Sequence, residues 1–185
     1  MTLRLLVGAL SCTILLTTWA ASPGEASVPS KRAWLTDVSQ AMSGSQRYVD
    51  NRVARDGRKP AVNFDIDNST LATHYDPGKA IAVVLRFANN ARRDGVKLLF
   101  NTGRHRGDGR LIQAKRQLTN AGYKVAEICG RQRGEPLTHS KQRCRRHFVS
   151  EGYTLIANLG NRRTDFTGGN YERAFRLPNY NNQLS

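Results

Sequence analysis

Short apolar runs alternate along the chain with longer segments in which apolar residues recur every three or four positions. The runs lie at residues 61–66, 96–100, 123–128 and 153–159, with a shorter one at 174–177. Runs of this length that are mostly apolar are typical of parallel strands buried on both faces. The pattern therefore predicts an α/β fold, namely a three-layer, Rossmann-like parallel sheet with helices on both faces.

Helices are predicted where the three-to-four spacing is clearest. The first covers Lys31 to Arg55 with an interruption at 43–45, and later ones cover 76–93, 108–120 and 140–151. Glycines end several of them, as at Gly95 and Gly152, because glycine readily adopts the left-handed backbone of a helix terminus. The connection after the first strand is short, so we predict a minimal cap and no second domain.

The first residues have the composition of a secretory signal peptide. Arg4 supplies a positive start, residues 5–16 are largely apolar, and Ala20 and Ala26 are small residues suited to cleavage. An uncleaved anchor is the alternative. We predict a signal peptide at 1–26, an N-terminal helical segment that packs on the core at 27–60, the core at 61–178 and a tail at 179–185. The mature chain would be secreted or extracytoplasmic, with no stable membrane span after cleavage.

The chain carries a net charge of +15. Such a charge attracts anions, whether small phosphorylated molecules or polyanions bound without specificity. No aromatic and basic motif accompanies the charge, so specific nucleic-acid binding is not predicted.

Polar side chains gather where the predicted strands end. Asp65 and Asp67 are two residues apart, so both can face one pocket, and Thr102 and Asp165 each follow a later strand. Sites in such sheets lie beyond the carboxyl ends of the strands, and closely spaced carboxylates suit Mg²⁺. The alternative is a strand that ends at a polar turn.

Four segments then occur in a fixed order: 65–69 (DIDNS), 102–104 (TGR), Lys141 near the start of a helix, and 160–166 (GNRRTDF). Together with FDIDNSTL, FNTGR, HSKQRCRRHFVSEGY, ANLGNRRTDF and RLPNY, they resemble the haloacid dehalogenase-like phosphohydrolases. Within these, the chain is most similar to the secreted acid phosphatases of the class B and plant vegetative-storage-protein type. The resemblance covers Trp34 to Tyr180.

This resemblance implies a role for each aspartate of the first segment. Asp65 would attack phosphorus and form an aspartyl-phosphate. Asp67 would protonate the leaving alcohol and then deprotonate the attacking water.

The resemblance also implies how phosphate and metal are held. Ser69, Thr102, Gly103 and Lys141 would bind the phosphate, with Ser69 in place of the family's usual threonine. Asp65, the Asp67 carbonyl, Asn161 and Asp165 would hold Mg²⁺. The family's fourth motif has an aspartate where this chain has Asn161, and the loss of one negative charge implies weaker Mg²⁺ binding.

Cys129 and Cys144 are the cysteines that remain after removal of the signal peptide. In an oxidising compartment such a pair is expected to form a disulfide, and two separate buried thiols are the alternative. Arg143, Arg145 and Arg146 are expected on a solvated helix face. The four histidines show no spacing typical of metal ligands and are expected on the surface or in loops, with His105 and His139 as the alternatives for substrate contact.

The predicted function is that of a secreted, Mg²⁺-dependent phosphomonoesterase that acts on small phosphorylated substrates. The alternative is a catalytically weakened protein of the same fold that binds polyanions through its basic surface. The two aspartates favour the first function, whereas Asn161 and the net charge favour the second.

Overall fold

The computed structural model describes residues 28–55 and 58–184. The predicted signal peptide lies outside the described residues. Five strands are present: β1 (Pro60–Phe64), β2 (Lys97–His105), β3 (Glu127–Arg131), β4 (Thr154–Gly160) and β5 (Arg173–Arg176). They form one sheet in the order β3-β2-β1-β4-β5, and every pairing is parallel. The predicted parallel α/β sheet is confirmed, with β1 at its centre.

In the part of the chain that the structure describes, six helices accompany the sheet: α1 (Lys31–Ala41), α2 (Ser45–Val53), α3 (Ala82–Arg93), α4 (Arg110–Asn120), α5 (Leu137–Ser150) and α6 (Arg163–Phe166). The predicted break at 43–45 separates α1 from α2, where Gly44 has a φ of 73°. The short helix α6 was not predicted, since four residues are too few for a periodic signal.

Both faces of the sheet are buried, each by its own apolar cluster. On one face Val62 and Phe64 pack in a large cluster that includes Trp34 of α1 and Val49 of α2. On the other face Ala61 lies with Phe148 of α5 and a few further residues. Alternate residues of β1 thus point to opposite sides, as the pleat of a strand requires.

Three predicted boundaries were wrong. Helix α3 begins at Ala82 and not at residue 76, because residues 70–81 instead fold back on themselves through hydrogen bonds such as Ala72 N–H to the Lys79 carbonyl. Strand β2 continues through 102–104 to His105. Strand β3 begins only at Glu127, since Tyr123 is buried outside the sheet with its hydroxyl donating to the Thr70 carbonyl.

The expected solvated face of arginines was also wrong in part. Arg146 is exposed, but Arg143 is half-buried in an ion pair with Glu135 at 2.8 Å, and Arg145 is fully buried. Burial of an arginine is expensive unless its donors are satisfied, and the contacts of Arg145 bear directly on the site described below.

No helix within 28–55 and 58–184 has both the length and the apolar character needed to cross a membrane.

Candidate active site

Four of the predicted site residues line a cleft of about 640 Å³ at the carboxyl edge of the sheet. Asp65 follows β1 directly and its N–H donates to the Leu159 carbonyl of β4 at 2.8 Å. This bond extends the ladder by one residue, which fixes where the Asp65 side chain emerges. Asp65, Asp67, Gly103 and Lys141 all line the cleft.

Lys141 joins the first and fourth segments at the floor of the cleft. Its Nζ lies 2.5 Å from Asp65 Oδ1 and 2.7 Å from Asp165 Oδ1, and all three side chains are at most 10% exposed. The Nζ also donates to the Asn101 carbonyl at 2.7 Å, while the Asn101 amide donates to the Lys141 carbonyl at 2.8 Å. This reciprocal pair fixes the first half of α5 against the middle of β2.

Electrostatics at the floor follow from this burial. Burial raises the pKa of Asp65 to about 6, helped by the nearby charge of Asp165 and opposed by Lys141. Burial lowers the pKa of Lys141, but the charges of Asp165 and Asp65 outweigh it and the net pKa lies above the usual value. Lys141 therefore remains a cation between two carboxylates.

Asp67 is held by Arg104 on the wall of the cleft. Arg104 donates from Nε to Asp67 Oδ2 at 3.0 Å and from a terminal nitrogen to Oδ1 at 2.6 Å. The Thr73 hydroxyl also donates to Oδ1, at 2.8 Å. Burial raises the pKa of Asp67, but the hydrogen bonds and charge of Arg104 outweigh it, and the net pKa is lowered. Asp67 is thus held as a carboxylate.

Ser69 and Thr102 lie next to the floor and are completely buried. The Ser69 hydroxyl donates to Asp65 Oδ2 at 2.8 Å and lies 3.4 Å from Asn161 Oδ1. The Thr102 hydroxyl accepts from the Arg104 N–H at 3.2 Å. Gly103 follows in β2, where an added Cβ would lie 2.9 Å from the Leu137 side chain, so any larger residue would push on the start of α5.

Asp165 is held in place by its neighbours. Its Oδ2 accepts from the Arg162 N–H at 2.8 Å, which caps the first turn of α6. A Cβ at Gly160 would lie only 2.4 Å from the same oxygen, so glycine is required there. Arg145 donates to the carbonyls of Asp165, at 2.5 Å, and of Gly169, at 2.7 Å, and also to the Thr167 carbonyl. The buried arginine thus satisfies the carbonyls at the end of α6.

Asn161 lies between the floor and the segment 179–184, which we call the C-terminal strap. The amide Nδ2 of Asn161 lies 3.4 Å from both Asn179 Oδ1 and the Leu184 carbonyl. The Asn68 amide donates to the same Leu184 carbonyl at 2.7 Å. The Leu184 side chain is buried and lines the cleft. The predicted tail therefore packs against the site, and an aspartate at position 161 could not donate to the strap.

Several oxygens at the floor have the chemistry that Mg²⁺ requires. Asp65 Oδ2 and Asn161 Oδ1 both face the Ser69 hydroxyl, and buried Asp165 Oδ1 has no well-aligned hydrogen bond although Lys141 is near it. Within the described ranges, no three His, Cys, Asp or Glu side chains form a metal-binding group. Two carboxylates and one amide oxygen are groups that suit a hard cation, with less negative charge than three carboxylates would provide, and the Asp67 carbonyl is the further ligand that the resemblance implies.

The disulfide between Cys129 of β3 and Cys144 of α5 is present. It connects the edge strand to the helix that carries Lys141, so the prediction of a cross-link is confirmed. Cys129 lies inside β3, just beyond the predicted run at 123–128.

Sequence reasoning missed several residues of the site. Asn101, Thr73 and the strap had no distinguishing signal, since each is an isolated polar or apolar residue. The arginines Arg110, Arg131 and Arg162 also line the cleft, as does His74, together with the expected His105. His139 is exposed and does not line it.

Comparison with known proteins agrees with this geometry. A family model described as HAD superfamily, subfamily IIIB (acid phosphatase) matches residues 73–183. The match includes Thr102, Lys141 and Asp165 but begins after Asp65 and Asp67.

Among solved structures, the class C acid phosphatase from Bacillus anthracis is similar with a TM-score of 0.63 and 16% identity, over 81% of this chain and 79% of that one. A search of curated proteins found no significant match.

Proposed function

Since the chain belongs to subfamily IIIB of the haloacid dehalogenase (HAD) superfamily, the acid phosphatases, we propose that it is a secreted, Mg²⁺-dependent phosphomonoesterase that works through an aspartyl-phosphate. The observation that carries this proposal is Asp65, buried at the floor of the cleft with Lys141 2.5 Å away and with Asp67 lining the same cleft. A nucleophile, an adjacent cation and a second carboxylate are the groups that phosphoryl transfer through a carboxylate requires.

Asp65 would supply the attacking oxygen. Oδ1 is held by Lys141 and Oδ2 by the Ser69 hydroxyl, so the carboxylate is fixed in orientation before substrate arrives. Because attack requires the ionised form, the raised pKa of about 6 makes the carboxylate more basic than an exposed aspartate. Its ionised fraction in the free protein would increase as the pH rises through this value.

Asp67 would act first as an acid and then as a base. Arg104 holds it as a carboxylate in the free protein, which suits the second step, deprotonation of the attacking water. Donation of a proton to the leaving alcohol requires a higher pKa. We expect Arg104 to move its hydrogen bonds from Asp67 to phosphoryl oxygens when substrate binds. The pKa of Asp67 would then rise, so that its carboxylate takes up a proton from solvent and passes it to the leaving alcohol.

The phosphoryl group would lie above Lys141, with the Gly103 N–H and the Thr102 hydroxyl as further donors. Mg²⁺ held by Asp65, the Asp67 carbonyl, Asn161 and Asp165 would supply charge neutralisation for the phosphoryl oxygens. Fixed donors of this kind stabilise charge that develops as the bond to the leaving group breaks.

Export is supported by the disulfide, since disulfides persist in oxidising compartments outside the cytosol. The signal-like composition of residues 1–26 agrees with it. Detection of the processed protein outside the cytoplasm, with Cys129 and Cys144 linked in a non-reducing digest, tests this part of the proposal.

The test of the activity is hydrolysis of an aryl phosphate by the mature protein, after chelation and after return of Mg²⁺. Asp65→Asn should abolish turnover with the fold retained, because an amide does not attack phosphorus. Asp94→Asn, an exposed aspartate at the end of α3, is the control with the same chemical change. Rapid quenching followed by mass spectrometry should show phosphate on the peptide that contains Asp65. Substantial turnover by folded Asp65→Asn would refute the proposed nucleophile.

A further inference from the structure

Cationic side chains outnumber carboxylates around the cleft. Five lysine and arginine side chains line it, namely Arg104, Arg110, Arg131, Lys141 and Arg162, against the two carboxylates Asp65 and Asp67. Lys141 is paired with Asp65 and Arg104 with Asp67. The remaining cations, Arg110, Arg131 and Arg162, therefore have no partner among the carboxylates of the cleft.

The wall formed by β2 and β3 holds most of this excess. Arg131 is the register partner of His105, and Arg110 begins the helix that follows β2. Arg110 is exposed and pairs with Asp108 at the rim. Arg131 is half-buried, and within 28–55 and 58–184 no carboxylate lies within ion-pair distance of it.

Arg131 is nevertheless held in place. Its Nε donates to the Glu135 carbonyl, an attachment that leaves the two terminal nitrogens of the guanidinium available. A planar fork of this kind matches the oxygens of a phosphate and binds them with two parallel hydrogen bonds. The half-buried position strengthens such a contact relative to one in open solvent.

A single phosphoryl group does not use these cations. In the proposed function its charge is met at the floor by Lys141, by the released Arg104 and by Mg²⁺, so the β2–β3 wall still carries uncompensated positive charge. We propose that this wall, with Arg131 as its anchor and His105 and Arg110 beside it, binds a second phosphate group on the leaving part of the substrate. The preferred substrate class is then an organic bisphosphate. This inference rests on the proposed function and names the substrate class of that site.

The experiment compares glucose 1,6-bisphosphate with glucose 6-phosphate, which differ by one phosphate. The intact mature protein should have a kcat/KM at least about tenfold higher for the bisphosphate at low salt, as expected for one charge-assisted contact. Arg131→Gln should lower the ratio of the two kcat/KM values by roughly tenfold, chiefly through KM for the bisphosphate.

Two matched variants separate a local contact from general attraction by a basic protein. Arg162→Gln removes the same charge from the opposite wall, beside β4, and should affect both substrates alike. Arg116→Gln removes it from an exposed position of α4 outside the cleft and should leave the ratio unchanged. A ratio near one for the intact protein, or an equal fall of the ratio in all three variants, would overturn the inference.

Failure of the proposed function gives a different result. If neither sugar phosphate is hydrolysed, the phosphatase proposal fails. Calorimetric titration of the same variants with glucose 1,6-bisphosphate then still tests whether the β2–β3 wall binds a phosphate group. Binding weakened about tenfold by Arg131→Gln alone supports the subsite, and equal binding by the intact protein and Arg131→Gln refutes it.

Discussion

Replacement of Arg145 by methionine tests how the fourth motif is held. Methionine keeps the length and apolar part of the side chain and removes its charge and every donor. The carbonyls of Asp165, Thr167 and Gly169 would lose the donor that now serves all three. We therefore expect both lower stability and a displaced Asp165.

The magnitude depends on how many of these carbonyls would be left without a partner. The Asp165 carbonyl would keep the Asn158 amide as a donor at 3.0 Å, whereas Thr167 is exposed and Gly169 is half-buried. A buried polar group left without a partner costs about 1–3 kcal/mol. The methionine no longer has to bury a charge, which offsets part of the loss, and water can reach the exposed loop around 167–170. We expect a net loss of about 1–3 kcal/mol, which for a chain of this length lowers Tm by roughly 5 °C.

Arg146→Met is the matched control, because Arg146 is the next residue of the same helix and is exposed. Surface changes of this kind stay within about 0.5 kcal/mol. Differential scanning calorimetry of both variants gives the comparison. If the two variants melt within about 2 °C of each other, Arg145 does not hold α6 and the reasoning is refuted.

Three further predictions concern the disulfide, the metal site and stability at low pH. Reduction of the Cys129–Cys144 bond, which spans 15 residues, should decrease the free energy of unfolding by about 3 kcal/mol in the entropic model, and so lower Tm, and should also weaken phosphate binding. Unchanged Tm and phosphate binding would contradict a role of the disulfide in holding Lys141. Asn161→Asp should lower the Mg²⁺ concentration for half-maximal activity and also lower Tm slightly, since the strap loses a donor; an unchanged Mg²⁺ titration would exclude contact with the metal. The Arg143 hydrogen bonds lower the pKa of Glu135 to about 2, so the Glu135 carboxylate stabilises the fold above its unfolded pKa, and this contribution is lost as the pH falls towards about 2. In Glu135→Gln the decrease of Tm below pH 4.5 should therefore be smaller than in the unchanged protein. An identical dependence of Tm on pH in both proteins would argue against the ion pair.

Much of the fold could be predicted because the sheet is buried on both faces. A strand such as β1 has no position that faces solvent, so its residues are mostly apolar, and the strand ends at Phe64, directly before Asp65. The same rule failed at Tyr123, which is apolar because it is buried against Thr70 and not because it lies in a strand. An apolar pattern indicates that residues are buried, but buried residues occur outside strands as well as within them.

The site was predicted in part for a related reason. Asp65, Asp67 and Lys141 occur in local patterns with a chemical meaning, whereas Arg145 lies in a run of arginines that sequence alone does not distinguish. What separates Arg145 from Arg146 is the direction of each side chain on α5, and the partners of Arg145 are carbonyls about 20 residues away. Leu184 is similar, since one leucine in a polar segment carries no periodicity.

The C-terminal strap has a consequence for the order of events during synthesis. The Leu184 carbonyl bonds Asn68, 116 residues earlier in the chain. A ribosome adds about 5–20 residues per second, so several seconds separate the appearance of Asp65 and Asp67 from that of Leu184, which lines the same cleft. A nascent chain halted before residue 184 would carry the complete sheet with one wall of the cleft open. A polypeptide fused directly after the strap would therefore pull on the segment that carries Asn68.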